Sequence, residues 1–327
     1  MNLKNGAFTV SLDFELYWGL LDKCSIEQYK DNLLGVKKAV HEILYVFKEN
    51  KIHATWATVG FLFFSDQEEL KNYLPRYMPH VLNRNLLPYQ YIETEKLDNE
   101  YHFAPELIEL IHNHDGQEIG THTFSHYYCL EEGQSKADFT EDISAAITTA
   151  TSSGISTKSL IFPRNQTNPQ YLAILEELGI QCYRGNGSSW MYRPGSTNTT
   201  HIKCQKLARL IDTYLNLSGH NTYDLRACAT QRPFNFSSSR FLRPFSKKLS
   251  LLDGLRLKRI TKAMDDAAIN NRIFHLWWHP HNFGVNTRHN IKFLKRILDH
   301  YTSLNQSHGM KSLNMGELSS LFEIPND

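Results

Sequence analysis

Four short stretches of this 327-residue chain hold side chains suited to hydrolytic chemistry. In Asp13-Phe14-Glu15, two carboxylates two residues apart can share a site, one gripping a cation and the other accepting a proton. In Gly120-Thr121-His122-Thr123-Phe124-Ser125-His126, the two imidazoles can meet on one cation if the chain between them turns tightly. Phe162-Pro163-Arg164-Asn165-Gln166 offers a guanidinium able to hold a neighbouring carboxylate ionised. The aromatic run from His275 to His281 delivers His279, a suitable general acid.

Each stretch alone has a bland explanation. An acidic pair at a strand edge is commonly a solvated turn, Arg164 could be a surface arginine, and 16 histidines give chance spacings such as His112 with His114. Position raises their value, because every one of the four follows a predicted strand. The C-terminal edge of a parallel sheet is where α/β folds hold their sites.

The elements that must do this positioning are legible over most of the chain. Residues 7–12 form a short apolar, β-branched run, which predicts a buried strand ending at Asp13. Leu33, Val36, Val40, Ile43, Leu44 and Phe47 then make one helical stripe, and a second strand is expected over 52–59. The pattern lapses over 60–115, where Pro75, Pro79, Pro88 and Pro105 break it, and an insertion with short helices is expected, one of them over 105–113. Strand, helix, strand and helix follow over 117–121, 136–152, 159–162 and 169–178. Residues 181–240 are rich in Asn, Ser, Gly and Thr, with strands expected near 181–183 and 212–217. A helix over 247–270, a strand over 273–278, a helix over 287–304 and a last strand and helix over 311–322 complete the reading. Such alternation predicts an α/β fold, either a barrel or a doubly wound sheet.

Composition bounds the rest. An apolar fraction of 41% and a charged fraction of 21% are ordinary for a globular protein, and 35 basic against 34 acidic residues give no global pull toward nucleic acid. Five scattered cysteines read as free thiols. The first residues lack a secretory apolar stretch and no window is apolar enough to span a bilayer, so a cytoplasmic location is expected. Residues 240–262 carry eight basic residues and one acidic one, Asp253. That segment is a solvated face, a phosphate-binding patch, or a peripheral contact with the inner membrane face.

The order of acidic motif, paired histidines, arginine motif and late strand-end histidine resembles carbohydrate esterase family 4, the NodB-like polysaccharide deacetylases. The resemblance runs from Val10 to about Phe322. It implies a distorted (β/α)7-type barrel forming a single catalytic domain over 1–327, with long loop insertions at about 60–116 and 184–246. It further implies a divalent metal, zinc foremost, held by Glu15, His122 and His126, with Asp13 as general base, Arg164 as its orienting partner and His279 as general acid. The family's usual adjacent aspartates are replaced here by Asp13 and Glu15 around Phe14, which leaves open which carboxylate meets the metal.

The implied reaction removes an N-acyl group, acetyl first, from an amino sugar. Lack of a secretion signal points to a sugar nucleotide, a lipid-linked sugar or an oligosaccharide precursor of a surface polysaccharide. A backbone N–H near Arg164 or Tyr127 would stabilise the oxyanion, and Tyr17 and Trp18 are placed to stack on a sugar. Deformylation or opening of a cyclic amide would use the same groups, and a noncatalytic saccharide-binding protein is the alternative of a different class. Asp13 and His279 together disfavour the last, since a binding module needs neither base nor acid.

Overall fold

The computed structural model describes residues 5–195, 202–228 and 230–322; residues 1–4, 196–201, 229 and 323–327, which the single-domain reading and its second insertion include, lie outside them. Its centre is Ala7–Phe14 (β1), buried along its whole length. The chain adds Ala54–Thr58 (β2), Gln117–Thr121 (β3), Ser159–Ile161 (β4) and Cys182–Arg184 (β5), then the two-residue strands Tyr223–Asp224 (β6), Phe234–Asn235 (β7) and Arg240–Phe241 (β8), and finally Arg272–Trp278 (β9) and Lys311–Ser312 (β10). The order is β6-β9-β1-β2-β3-β4-β5-β7, with β10 on β1 and β8 on β9. Every pairing is parallel except β6 with β9. This is the expected α/β barrel in a curled, half-closed form.

The two faces of β1 show how the curl is built. Side chains alternate along a strand. Phe8, Val10, Leu12 and Phe14 point outward into the main apolar cluster, where Val36, Val40, Ile43, Leu44 and Phe47 of the helix Val36–Asn50 meet them. Ala7, Thr9, Ser11 and Asp13 point inward, so the interior passes from apolar to charged along one strand. Its lower end is closed by the helix Met315–Ser320, whose Met315 and Leu318 pack with Ala7, Ala57 and Ile161. Glu118 ties that helix on by accepting from the Gly316 N–H at 2.9 Å and from the Thr55 and Ser159 hydroxyls at 2.6 Å each. The upper end stays polar and open.

Parallel register puts the strand ends at one level. Leu12 pairs with Trp278, Asp13 with Ala57, Thr58 with Thr121, Thr121 with Leu160, and Ile161 with Arg184. Asp13, His122, Phe162, Arg184 and His279 therefore emerge at the same rim. The 60–115 stretch forms four helices, Gln67–Asn72, Pro88–Thr94, Asn99–His102 and Pro105–His112.

One expectation in the second insertion is corrected. Residues 202–212 form a helix and 212–217 a turn, where a strand was expected. The alternation of Ile211, Leu215 and Leu217 does not mark burial, since all three are exposed. In the basic segment 240–262, Arg240, Arg256 and Arg259 are buried, which leaves Lys247, Lys248, Lys258 and Lys262 as its exposed cations alongside half-buried Arg243. No helix of the described residues is long and apolar enough to cross a membrane.

Candidate metal centre and active site

Glu15 lies just past β1, where the backbone turns into a short 3-10 segment, Leu16–Gly19. Gly19 sits directly against the Glu15 carboxyl, and a Cβ there would collide with it. His122 follows β3 and His126 closes the loop after it. His122 Nε2 and His126 Nε2 stand 3.3 and 3.1 Å from Glu15 Oε2. One ligand atom from each of the three lies within 4.8 Å of the others, and all three residues are buried.

The loop between the histidines is held against its own preference. Thr123 and His126 adopt φ of 65 and 58°, in the left-handed region that a β-branched residue seldom enters. Asp142 compensates by accepting from the Phe124 N–H at 2.7 Å, the Ser125 N–H at 3.2 Å and the Ser125 hydroxyl at 2.5 Å. Tyr127 N–H donates to Thr123 Oγ1 at 2.7 Å. Leu16, Arg164 and Asn165 also have positive φ, so five of the nine such non-glycine residues among those described border this site. Clustered strain of that kind marks places where geometry is imposed by function.

Electrostatics suit a cation. His122 Nδ1 donates to the Ile161 carbonyl at 2.8 Å, which fixes the tautomer that leaves Nε2 as a lone-pair donor facing Glu15. Burial pushes His126 down to about 4, so its imidazole is neutral near pH 7. Buried Glu15 Oε1 and His122 Nε2 have no hydrogen-bond partner, an expensive condition unless something positive sits between them. Two imidazoles and one carboxylate form a donor set of the zinc type with positions to spare.

Asp13 is gripped by Arg184, Nη1 to Oδ1 at 2.7 Å and Nη2 to Oδ2 at 2.8 Å. Burial alone would raise the Asp13 carboxyl, but the Arg184 guanidinium outweighs it and the pKa falls below the ordinary range. His279 Nε2 stands 3.8 Å from Asp13 Oδ2 and 3.6 Å from Glu15 Oε1. Its Nδ1 accepts from Asn282 Nδ2 at 3.3 Å, while Tyr29 donates to Asn282 Oδ1 at 3.2 Å and so sets the amide's direction. The ring proton of His279 therefore sits on Nε2, facing the site.

Arg164 is not where sequence reasoning put it. A left-handed turn at φ 55° swings its side chain away from Asp13, over the Tyr128 ring and onto Asp22. Arg184, which sequence reasoning missed, takes the expected place, braced by Ser11 Oγ, by Asn165 Oδ1 and by the face of Trp277 at 4.1 Å. Its signal was present, since it ends a strand expected near 181–183. Tyr17 and Trp18 are likewise corrected: both are buried, with Tyr17 donating to the Cys24 carbonyl and Trp18 to the His102 carbonyl. Tyr127 N–H is already committed, so it cannot serve an oxyanion.

Residues 29–183 match the polysaccharide deacetylase family. That stretch is a polysaccharide deacetylase domain. The match holds His122, His126 and Arg164 but stops short of Arg184, and the acidic motif and His279 reach the same rim from outside it. Over 98% of this chain and 91% of the other, the fold resembles that of a protein of Mycobacterium smegmatis assigned to the polysaccharide deacetylases, with TM-score 0.56 and 12% identity. A Pseudomonas aeruginosa protein with the same assignment follows at 0.53 and 13%, over 97% and 90% of the two chains. Puue allantoinase superposes at 0.51 and 10%, over 97% and 89%. These likenesses establish a shared fold for the deacetylase domain. No curated protein matches the chain.

Proposed function

We propose that this protein is a metal-dependent hydrolase that removes an N-acyl group, acetyl foremost, from an amino sugar. The observation that carries the reading is the convergence of Glu15, His122 and His126 beside a carboxylate, Asp13, that Arg184 holds ionised. A divalent ion, zinc first among candidates, would be held by Glu15, His122 and His126 and would polarise the acyl carbonyl and acidify water. Asp13 takes the proton of the attacking water. His279, with its ring proton on Nε2, donates to the departing amine. The Arg164 backbone N–H remains the candidate oxyanion donor, since Tyr127's is spent.

The cleft that opens onto His279 has a volume of about 1310 Å³. That exceeds the ordinary small-molecule pocket and favours a saccharide over a small cyclic amide. We read the substrate as a cytoplasmic precursor of a surface polysaccharide, and the five unpaired cysteines support a reducing compartment.

The test is mass spectrometry of N-acetyl and N-formyl amino sugars incubated with metal-loaded protein, where a loss of about 42 or about 28 mass units names the acyl group. Asp13→Asn should lose turnover while keeping its fold and metal. Undiminished turnover in that variant removes Asp13 from the base role.

A further inference from the structure

The cleft above the metal centre carries positive charge that the protein does not balance. No acidic residue occurs between Glu177 and Asp212, or between Asp224 and Asp253, while those two stretches hold eleven lysines and arginines. They meet in the cleft wall, Arg209 and Lys206 on the helix Ile202–Asp212 and Arg243 just after β8. Arg240 beneath them is neutralised by Asp212 at 2.5 Å. Arg243 is not: its Nε donates to the Thr213 hydroxyl at 3.0 Å, and among the described residues no carboxylate pairs with it, with Arg209 or with Lys206. Of the two carboxylates in the cleft wall, Asp22 is taken up by Arg164 and Tyr128, and Glu95 belongs to another segment, closing the helix Pro88–Thr94.

Both arginines are half-buried. Burial pushes each guanidinium down from its ordinary value, and Arg209 lies near enough to Arg243 to push it further, against an opposite pull from Tyr214. Two like charges held together in a partly desolvated wall are costly until an anion joins them. Both arginines line the same cleft as His279. The Phe241 ring lies 4.7 Å from Trp277 and 5.9 Å from His279, and Arg243 stands two residues further on, about 7 Å of extended chain. An anion held there would share the cleft with a sugar bound at His279.

We propose that Arg209 and Arg243, with Lys206, form a subsite for a phosphate or diphosphate group carried by the substrate. The proposal rests on the deacylase reading and narrows it to phosphorylated amino sugars. A planar guanidinium pair suits the several oxygens of a diphosphate better than it suits a neutral glycan.

The test uses the full-length, metal-loaded protein and inorganic pyrophosphate, with binding followed by calorimetry. Wild type should bind, and Arg209→Gln and Arg243→Gln should each bind about tenfold more weakly. Lys258→Gln, an exposed cation outside the cleft wall, should bind as wild type does. Lys206→Gln, on the exposed side of its helix, keeps the test alive if Arg243→Gln fails to fold. The ratio of kcat/KM for uridine diphosphate N-acetylglucosamine to that for free N-acetylglucosamine should fall in the same variants. Displacement of pyrophosphate by vesicles of four parts phosphatidylcholine to one part phosphatidylglycerol supports the subsite and identifies a lipid-borne phosphate. Displacement by uridine diphosphate alone supports it and identifies a soluble one. Pyrophosphate binding that is absent, or equal in wild type and the arginine variants, overturns the subsite even where deacylation is intact. Arginine-dependent binding without any deacylation instead overturns the catalytic reading.

Discussion

Arg184 and Asp13 form a two-point ion pair inside the half-barrel, with both side chains almost wholly buried. The fork fixes the plane of the carboxylate as well as its charge, which a lysine cannot do. Arg184→Lys should therefore lower kcat by about 10- to 100-fold with metal content unchanged. Arg184→Ala, which strands a buried carboxylate, should also cost about 3–5 kcal/mol in stability. Steady-state kinetics and urea unfolding check both, and a wild-type kcat in the lysine variant would show that Asp13 needs no orienting.

The roles of the two carboxylates are separable by metal content. His122 and His126 both face Glu15, whereas Asp13 faces Arg184. Glu15→Gln and the double variant His122→Ala/His126→Ala should retain little divalent metal after dialysis, and Asp13→Asn should retain most of it. Elemental analysis decides the matter. A stoichiometric ion in the double variant would mean that the cation is held elsewhere.

How much of this was legible in the sequence follows from the length of each signal. β1 and the helix Val36–Asn50 are long enough for their periodicities to show, and the strand-end motifs then fall at one rim by parallel register alone. The partner of Asp13 was misassigned for the opposite reason. β4 and β5 are three residues each and β7 and β8 two, too short to carry a period, so the strand expected near 181–183 gave Arg184 a place at a strand end but not its pairing or its inward direction. Nor does sequence reveal that Arg164 turns away through a left-handed backbone. The one misread strand, 212–217, had real alternation, but of exposed residues around a buried aspartate.

Asp142 touches no proposed ligand, yet it fixes the loop that carries two of them. Burial pushes its carboxyl up to about 6, while Phe124, Ser125 and Thr123 draw it back by hydrogen bonding. Asp142→Asn replaces one acceptor oxygen with a donor facing donors. The expected cost is about 1.5–3 kcal/mol of stability, and metal affinity should weaken by about 10- to 100-fold as Thr123 and His126 relax. A chelator-competition titration that returned wild-type affinity would show the loop to be self-supporting.

Asp212 organises the second insertion and predicts its acid sensitivity. Its carboxylate accepts from Arg240 at 2.5 Å, Arg259 at 3.3 Å, the Tyr192 hydroxyl at 2.7 Å and the backbone of Leu217 and Ser218 at 2.9 and 2.8 Å. Burial would raise its pKa, but Arg240 and these hydrogen bonds win, so the folded value lies well below the ordinary 3.8. A folded pKa below the unfolded one means that the unfolded chain binds the proton first as pH falls. The stabilisation is therefore complete above 3.8 and is lost as pH drops through the folded value. Asp212→Asn should destabilise the protein by about 3–5 kcal/mol near neutrality, because it strands two buried arginines. The gap between variant and wild type in urea unfolding should hold down to about pH 4 and narrow below it. A gap that stays constant to pH 3, or that closes already at pH 6, would show that Asp212 does not carry the charge balance of Arg240 and Arg259.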